Sequence, residues 1–190
     1  MMAGVFCSAR AENRTVQSFN DNWFFQLKNT TEAEQVQLPH TWNTDAYQTN
    51  EYARQSAYYK KKFRLPSEQF AGKRLYLKFD AVNSLAEVTV NGQLLTTHKG
   101  GYTAFVVDIT EYVNLDQWNE VKVHVNNENV NIPPLSGDFT IFGGIYRDVW
   151  LIATDEVHIA MTDLASSGVY VSTPQASREQ ADVQVRYSVD

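Results

Sequence analysis

Apolar and polar residues alternate along much of this chain, and that period of two restricts its fold to sheets. Leu75, Leu77 and Phe79 alternate with Tyr76 and Lys78. Ala86, Val88 and Val90 alternate with Glu87 and Thr89, and Val121, Val123 and Val125 with Lys122, His124 and Asn126. Successive side chains of a strand point to opposite faces, so each run buries one face and wets the other. No amphipathic helix of ten or more residues is legible. Tyr58 to Leu65, Gln93 to His98, Phe105 to Ile109 and Val149 to Thr154 read as further strands, and Val36 and Leu38 end a short apolar run. Asn91-Gly92 predicts a hairpin, because both residues tolerate the positive φ of a type I′ turn. Short strands with turn signals between them predict an all-β fold, a jelly-roll-type antiparallel β-sandwich.

The stretch Pro133 to Ile152 stands out within this pattern. Its prolines and Gly137 make the first part a loop, and Val149-Trp150-Leu151-Ile152 makes the last part a strand. Between them lie Asp138, the pair Gly143-Gly144 and the neighbours Arg147-Asp148, which read as a structural ion pair. After Asp155 the strand pattern restarts over Val157–Leu164, Gly168–Thr173 and Ala181–Val189. Three strands do not close a sandwich, so residues 156–190 are expected to begin a second, immunoglobulin-like one. Residues 16–155 form the first domain and residues 1–15 an N-terminal tail. The tail reads either as the remnant of a signal peptide, through Ala9-Arg10-Ala11, or as an uninformative extension.

Charge and motif content narrow the function. Net charge is −6 and no basic run is present, which argues against a nucleic-acid partner. No apolar stretch reaches the roughly 20 residues of a membrane helix. Cys7 is the single cysteine, and the four histidines share no metal-ligand spacing. Lys60, Lys61 and Lys62 read as an anion patch or, in preference, as the solvated edge of a strand, where lysine discourages edge pairing. Phosphate-loop, nucleophile-elbow and Cys-His signatures are lacking. Glycoside hydrolysis needs two carboxylates flanking the bond, and the acidic residues here sit in turn and edge contexts.

Binding is better supported than catalysis. Sugars are held by planar polar side chains and by aromatic faces. The loop His40-Thr41-Trp42-Asn43-Thr44-Asp45, with Tyr47, offers both, as does Gly137-Asp138-Phe139. Trp42 reads as core packing under a loop or as a sugar platform. Asp138 reads as a turn cap or as a ligand contact. Tyr102 and Phe105 read as core.

Taken in order, Leu38-Pro39-His40-Thr41-Trp42-Asn43, Tyr59 to Pro66, Val90-Asn91-Gly92, His98-x-Gly100-Gly101-Tyr102-Thr103-x-Phe105 with Asp108-Ile109-Thr110, and Gly143-Gly144-Ile145-Tyr146-Arg147-Asp148-Val149 resemble the N-terminal sugar-binding domain of glycoside hydrolase family 2, most of all that of its β-galactosidases. The resemblance implies a jelly roll, then an immunoglobulin-like sandwich, then a catalytic barrel bearing two glutamates, so that no residue here is catalytic. It implies that the catalytic barrel of the same chain is a partner and a β-galactoside or other oligosaccharide the ligand. It makes Asp138 a sugar contact that also helps hold sodium, and gives a second contact to Asn43 or Asn50, with Trp42 alongside. No cofactor is expected in this stretch, with sodium or magnesium expected in the complete enzyme, which is expected to be a homo-oligomer. A periplasmic or secreted location follows from the signal reading, a cytoplasmic one from its alternative. The readings left open are the same domain of a β-glucuronidase or β-mannosidase, a free-standing carbohydrate-binding module, and a purely structural domain.

Overall fold

A computed structural model describes residues 14–44, 52–128, 131–133 and 141–190. Its strands are β1 (Thr15–Ser18), β2 (Trp23–Leu27), β3 (Glu34–Val36), β4 (Ser56–Arg64), β5 (Arg74–Phe79), β6 (Leu85–Val90), β7 (Gln93–Lys99), β8 (Phe105–Asp108), β9 (Trp118–Asn126), β10 (Val149–Thr154), β11 (Val169–Ala176) and β12 (Ala181–Tyr187). One helical turn, α1 (Ser67–Phe70), links β4 to β5. A four-stranded sheet runs β1-β10-β5-β8 and a six-stranded sheet runs β3-β2-β4-β9-β6-β7, with every pairing antiparallel. The two sheets face each other as the expected antiparallel β-sandwich.

The alternation in sequence sets which face is inside. Leu75, Leu77 and Phe79 of β5 meet Ala86, Val88, Val90, Val121, Val123 and Val125 of the other sheet in one buried cluster. Trp23 and Tyr59 are fully buried in it. The Trp23 indole N–H donates to the Phe19 carbonyl at 2.8 Å, which satisfies its one polar group. Asn91 and Gly92 have φ of 48° and 86°, as a type I′ turn requires, and join β6 to β7. The Asn91 side chain then ties this hairpin to Asn119 and to the backbone of Glu120, at 2.8 and 2.9 Å.

A second, smaller cluster covers the outer face of the four-stranded sheet. Tyr76, Ile152 and Met161 are buried there, with Val106 and Trp150 against them. The Tyr76 hydroxyl and His158 Nε2 are 2.9 Å apart. Val157–Leu164 is therefore not the expected strand. It makes a single bridge, Ile159 to Val189, before a turn in which Leu164 and Ala165 take positive φ. His158, Ala160 and Met161 are all buried. Positive φ at Leu164 and Ala165 turns the chain before a second bridge forms. β11 and β12 pair as a hairpin whose Val171, Val183, Val185 and Tyr187 are exposed.

Two local expectations are corrected. Lys60 lies on β4 between β2 and β9, so it stands inside a sheet and not at its edge, whereas Lys61 and Lys62 run past the end of β2 and pair with β9 alone. Lys61 faces inward. Its ammonium donates to the carbonyls of Phe19 and Asp21 at 3.0 and 2.6 Å and sits 4.0 Å from the Phe19 ring centre. Burial pulls its pKa down to about 8. Arg147 and Asp148 are not a pair. Arg147 lies over the Tyr146 ring, whereas Asp148 accepts from the Asn20 amide at 2.7 Å.

Inner and outer positions should respond differently to truncation. Leu77→Ala removes a fully buried side chain and is expected to cost about 2–5 kcal/mol. Val171→Thr on the exposed hairpin is expected to change stability by less than about 0.5 kcal/mol. Urea unfolding of both variants checks the contrast.

Candidate functional site

One end of the sandwich brings together the loop around Trp42 and the segment around the glycine pair Gly143-Gly144. The loop His40–Thr44 crosses the segment Phe142–Tyr146, and the two are bolted together by backbone and side-chain bonds. The His40 N–H donates to the Ile145 carbonyl at 2.8 Å, and the Trp42 N–H to the Gly143 carbonyl at 3.3 Å. The Thr41 hydroxyl also donates to the Gly143 carbonyl, at 2.8 Å. Asn43 is 3% exposed and uses both ends of its amide. Its oxygen accepts from the Gly143 N–H at 2.7 Å and its nitrogen donates to the Ala53 carbonyl at 3.3 Å. The structure thus gives Asn43 a positioning role inside the loop.

Trp42 is half-buried. Its ring stacks on Phe25 with centroids 6.2 Å apart, and its indole N–H donates to the Ala53 carbonyl at 3.0 Å. The indole lies directly on Gly143, where an added Cβ would approach it to 2.3 Å. Gly144 has φ of +115°, and a Cβ there would meet the Tyr59 hydroxyl at 2.5 Å and the His40 carbonyl at 2.8 Å. The glycine pair is thus required by close approach at both positions.

Beneath the loop, His40 Nδ1 and the Tyr59 hydroxyl are 2.8 Å apart. Burial lowers the His40 pKa and raises that of the Tyr59 phenol, so both are neutral near pH 7. On the other flank the Asn83 amide donates to the Phe142 carbonyl at 2.6 Å, and the Asn83 N–H to the Gly144 carbonyl at 3.1 Å. Tyr146 donates its hydroxyl to the Gly101 carbonyl. Tyr102, Phe142 and Tyr146 form an aromatic rim, with Tyr102 and Phe142 partly exposed. Phe105 is core, stacked between Phe79 and His98.

Asp138, the principal sequence candidate, lies outside the described residues, as do Asp45, Tyr47, Asn50 and Cys7. Ile141, three residues on, leads into Phe142 and the bolted glycines. Sequence reasoning does not single out Asn83 or Asn20, which carry much of the fastening. They stand in no motif, and their partners lie tens of residues away in the chain. Among the described residues no three His, Cys, Asp or Glu side chains gather as a metal-ligand set. What the described residues offer is a fixed, partly aromatic rim.

The family model for the sugar-binding domain of glycosyl hydrolases family 2 matches residues 6–155. The chain belongs to that family. It is 43% identical over 169 residues to a beta-glucuronidase of Bacteroides fragilis, covering 86% of this chain and 24% of that protein. It is 37% identical over 162 residues to a beta-galactosidase of Thermoanaerobacter pseudethanolicus, covering 77% of this chain and 22% of that one. The crystal structure of a Bacteroides uniformis beta-glucuronidase superposes with a TM-score of 0.87 at 40% identity, over 93% of this chain and 22% of that one. The chain therefore spans less than a quarter of the length of these relatives. No helix among the described residues is long and apolar enough to cross a membrane.

The buried histidine gives the domain a pH dependence. Unfolded His40 gains a proton as pH falls through about 6.5, while the folded form resists it. Stability is therefore expected to fall as pH drops from 7 through about 6.5, where the unfolded state binds more protons than the folded one. The urea midpoint should drop as pH is lowered in the wild type and drop less in His40→Asn; partly buried His98 contributes with the same sign.

Proposed function

We propose that this chain is the non-catalytic front domain of a retaining family 2 β-glycosidase and forms one wall of its active-site pocket. The substrate class that fits best is a terminal β-glucuronide. The observation that carries this is the 43% identity to a protein named beta-glucuronidase, held across nearly the whole domain. It revises the β-galactoside expectation, which stays as the second reading because a protein named beta-galactosidase is 37% identical.

In this reading the acid/base and nucleophile lie on a catalytic barrel of the same polypeptide. The bolted His40–Thr44 and Phe142–Tyr146 segments hold the base of the loop that carries Asp138. Asp138 contacts the bound sugar and Trp42 flanks it. Asn43 acts on the ligand through the loop it fastens. The exposed apolar side chains of β11 and β12 are the inner face of a second sandwich, completed by further chain.

The purified 190-residue chain is expected to show no turnover of chromogenic glycosides. Joined to its barrel, the polypeptide is expected to prefer a β-glucuronide over a β-galactoside; the reverse preference would establish the second reading. Asp138→Ala in that polypeptide is expected to lower kcat/KM about 10- to 100-fold, the worth of one hydrogen bond to a charged group. An unchanged kcat/KM would remove Asp138 from the site.

A further inference from the structure

The outer face of the six-stranded sheet carries a feature that the wall of a pocket at the loop end does not use. Phe24 of β2, Lys60 of β4 and Lys122 of β9 stand in one cross-strand row, since Phe24 pairs with Lys60 and Lys60 with Lys122. Lys62, two residues along β4, lies on the same face opposite Glu120. Trp118, at the start of β9, closes that end of the face. Phe24 is 50% exposed and Trp118 71% exposed. Together with Asn22 and Asn91, Phe24, Lys60, Lys62, Trp118 and Glu120 line a shallow depression of about 860 Å³.

Two physical costs are built into this face. Like charges directly opposite each other across an antiparallel pair are destabilising, and Lys60 faces Lys122 in that way. Neither Lys60 nor Lys62 has an ion-pair partner among the described residues. Of the two carboxylates on the face, Glu87 is engaged by His124 at 2.7 Å, and Glu120 makes no bridge within 4 Å of a lysine. The second cost is the exposure of two large aromatic rings on a sheet that could have carried threonine or glutamate. The chain as a whole is acidic, at −6, so this concentration of lysine is local.

Both costs are relieved by one kind of ligand. Ring faces cover the C–H patches of a pyranose, and ammonium groups neutralise carboxylates. With strands about 4.8 Å apart and about 6.8 Å between alternate residues, the row and the step to Trp118 span about 10 by 13 Å. That is a platform for several linked sugars and not for one.

We propose that the outer face of the six-stranded sheet, centred on Lys60, Lys62, Phe24 and Trp118, is a second saccharide site that binds carboxylate-bearing oligosaccharides. It lies on a sheet face, apart from the loop end that carries Asp138, and does not depend on which glycoside the polypeptide hydrolyses.

Affinity electrophoresis of the 190-residue chain in gels containing polygalacturonate, a neutral galactan or no polymer tests this. Retardation by the polyuronate alone is expected, decreasing as salt rises. Lys60→Glu/Lys62→Glu and Trp118→Ala should each weaken it about tenfold, the loss of one contact to a charged group or ring. Asp138→Ala should leave it unchanged, which separates this site from the proposed active-site wall. Circular dichroism melts confirm that the variants fold. The proposal is overturned if the polyuronate does not retard the chain, or if retardation survives both surface variants. It is equally overturned if duplex DNA competes as well as the polyuronate does, since the face would then recognise charge alone. Sedimentation showing an oligomer that the lysine double variant dissociates would also overturn it, the face then being a protein interface.

Discussion

The fastening of Asn43 to Gly143 holds the loop end of the sandwich together. An asparagine amide buried in a loop must find a donor and an acceptor or pay for desolvation. Here the Gly143 N–H and the Ala53 carbonyl supply them. This works only because position 143 carries no side chain, so the Trp42 indole can lie flat on the backbone. The next residue, Gly144, lets the chain pass under His40 and beside Tyr59 in a conformation with positive φ. Remove the amide or fill either glycine and the two loops lose their mutual register.

That register connects the core to the rim. β4 and β2 deliver Tyr59 and Phe25 from the core to the underside of the His40–Trp42 loop. β10 is held by Asn20, whose amide accepts from the Val149 N–H and donates to Asp148. The segment that precedes β10 is thereby fixed at both ends, by Asn20 and by Asn43. A rigid scaffold that presents a loop is how binding sites are generally built, and Phe142–Tyr146 is held to such a scaffold.

Much of the sandwich is legible in local sequence because burial imposes alternation. Val121, Val123 and Val125 announce an inner face, and Asn91-Gly92 announces its own turn. Long-range order is not legible in the same way. A lysine on the outer face of a central strand looks the same in sequence as one on an edge, which is why Lys60 read as an edge. Adjacency likewise misleads at Arg147-Asp148, whose partners are Tyr146 and Asn20. Val157–Leu164 has the composition of a strand, but its chain turns with positive φ at Leu164 and Ala165 after the single bridge at Ile159. At the site, the sequence brings Trp42, Asn43 and the glycine pair into view by their chemistry. It does not reveal that Asn43 serves backbone groups, because an amide offers the same atoms to a peptide as to a sugar.

The central claim is that the end of the sandwich framed by Trp42, Asn43 and Gly143 faces the bound glycoside. A crystal structure of the complete polypeptide with a covalent glycoside-mimicking inhibitor tests it most directly. The expected result places the Asp138 carboxylate within hydrogen-bonding distance of the sugar and the Trp42 rim along the pocket wall. A structure in which this end of the sandwich opens to solvent, with the sugar enclosed by other parts of the polypeptide, would contradict it.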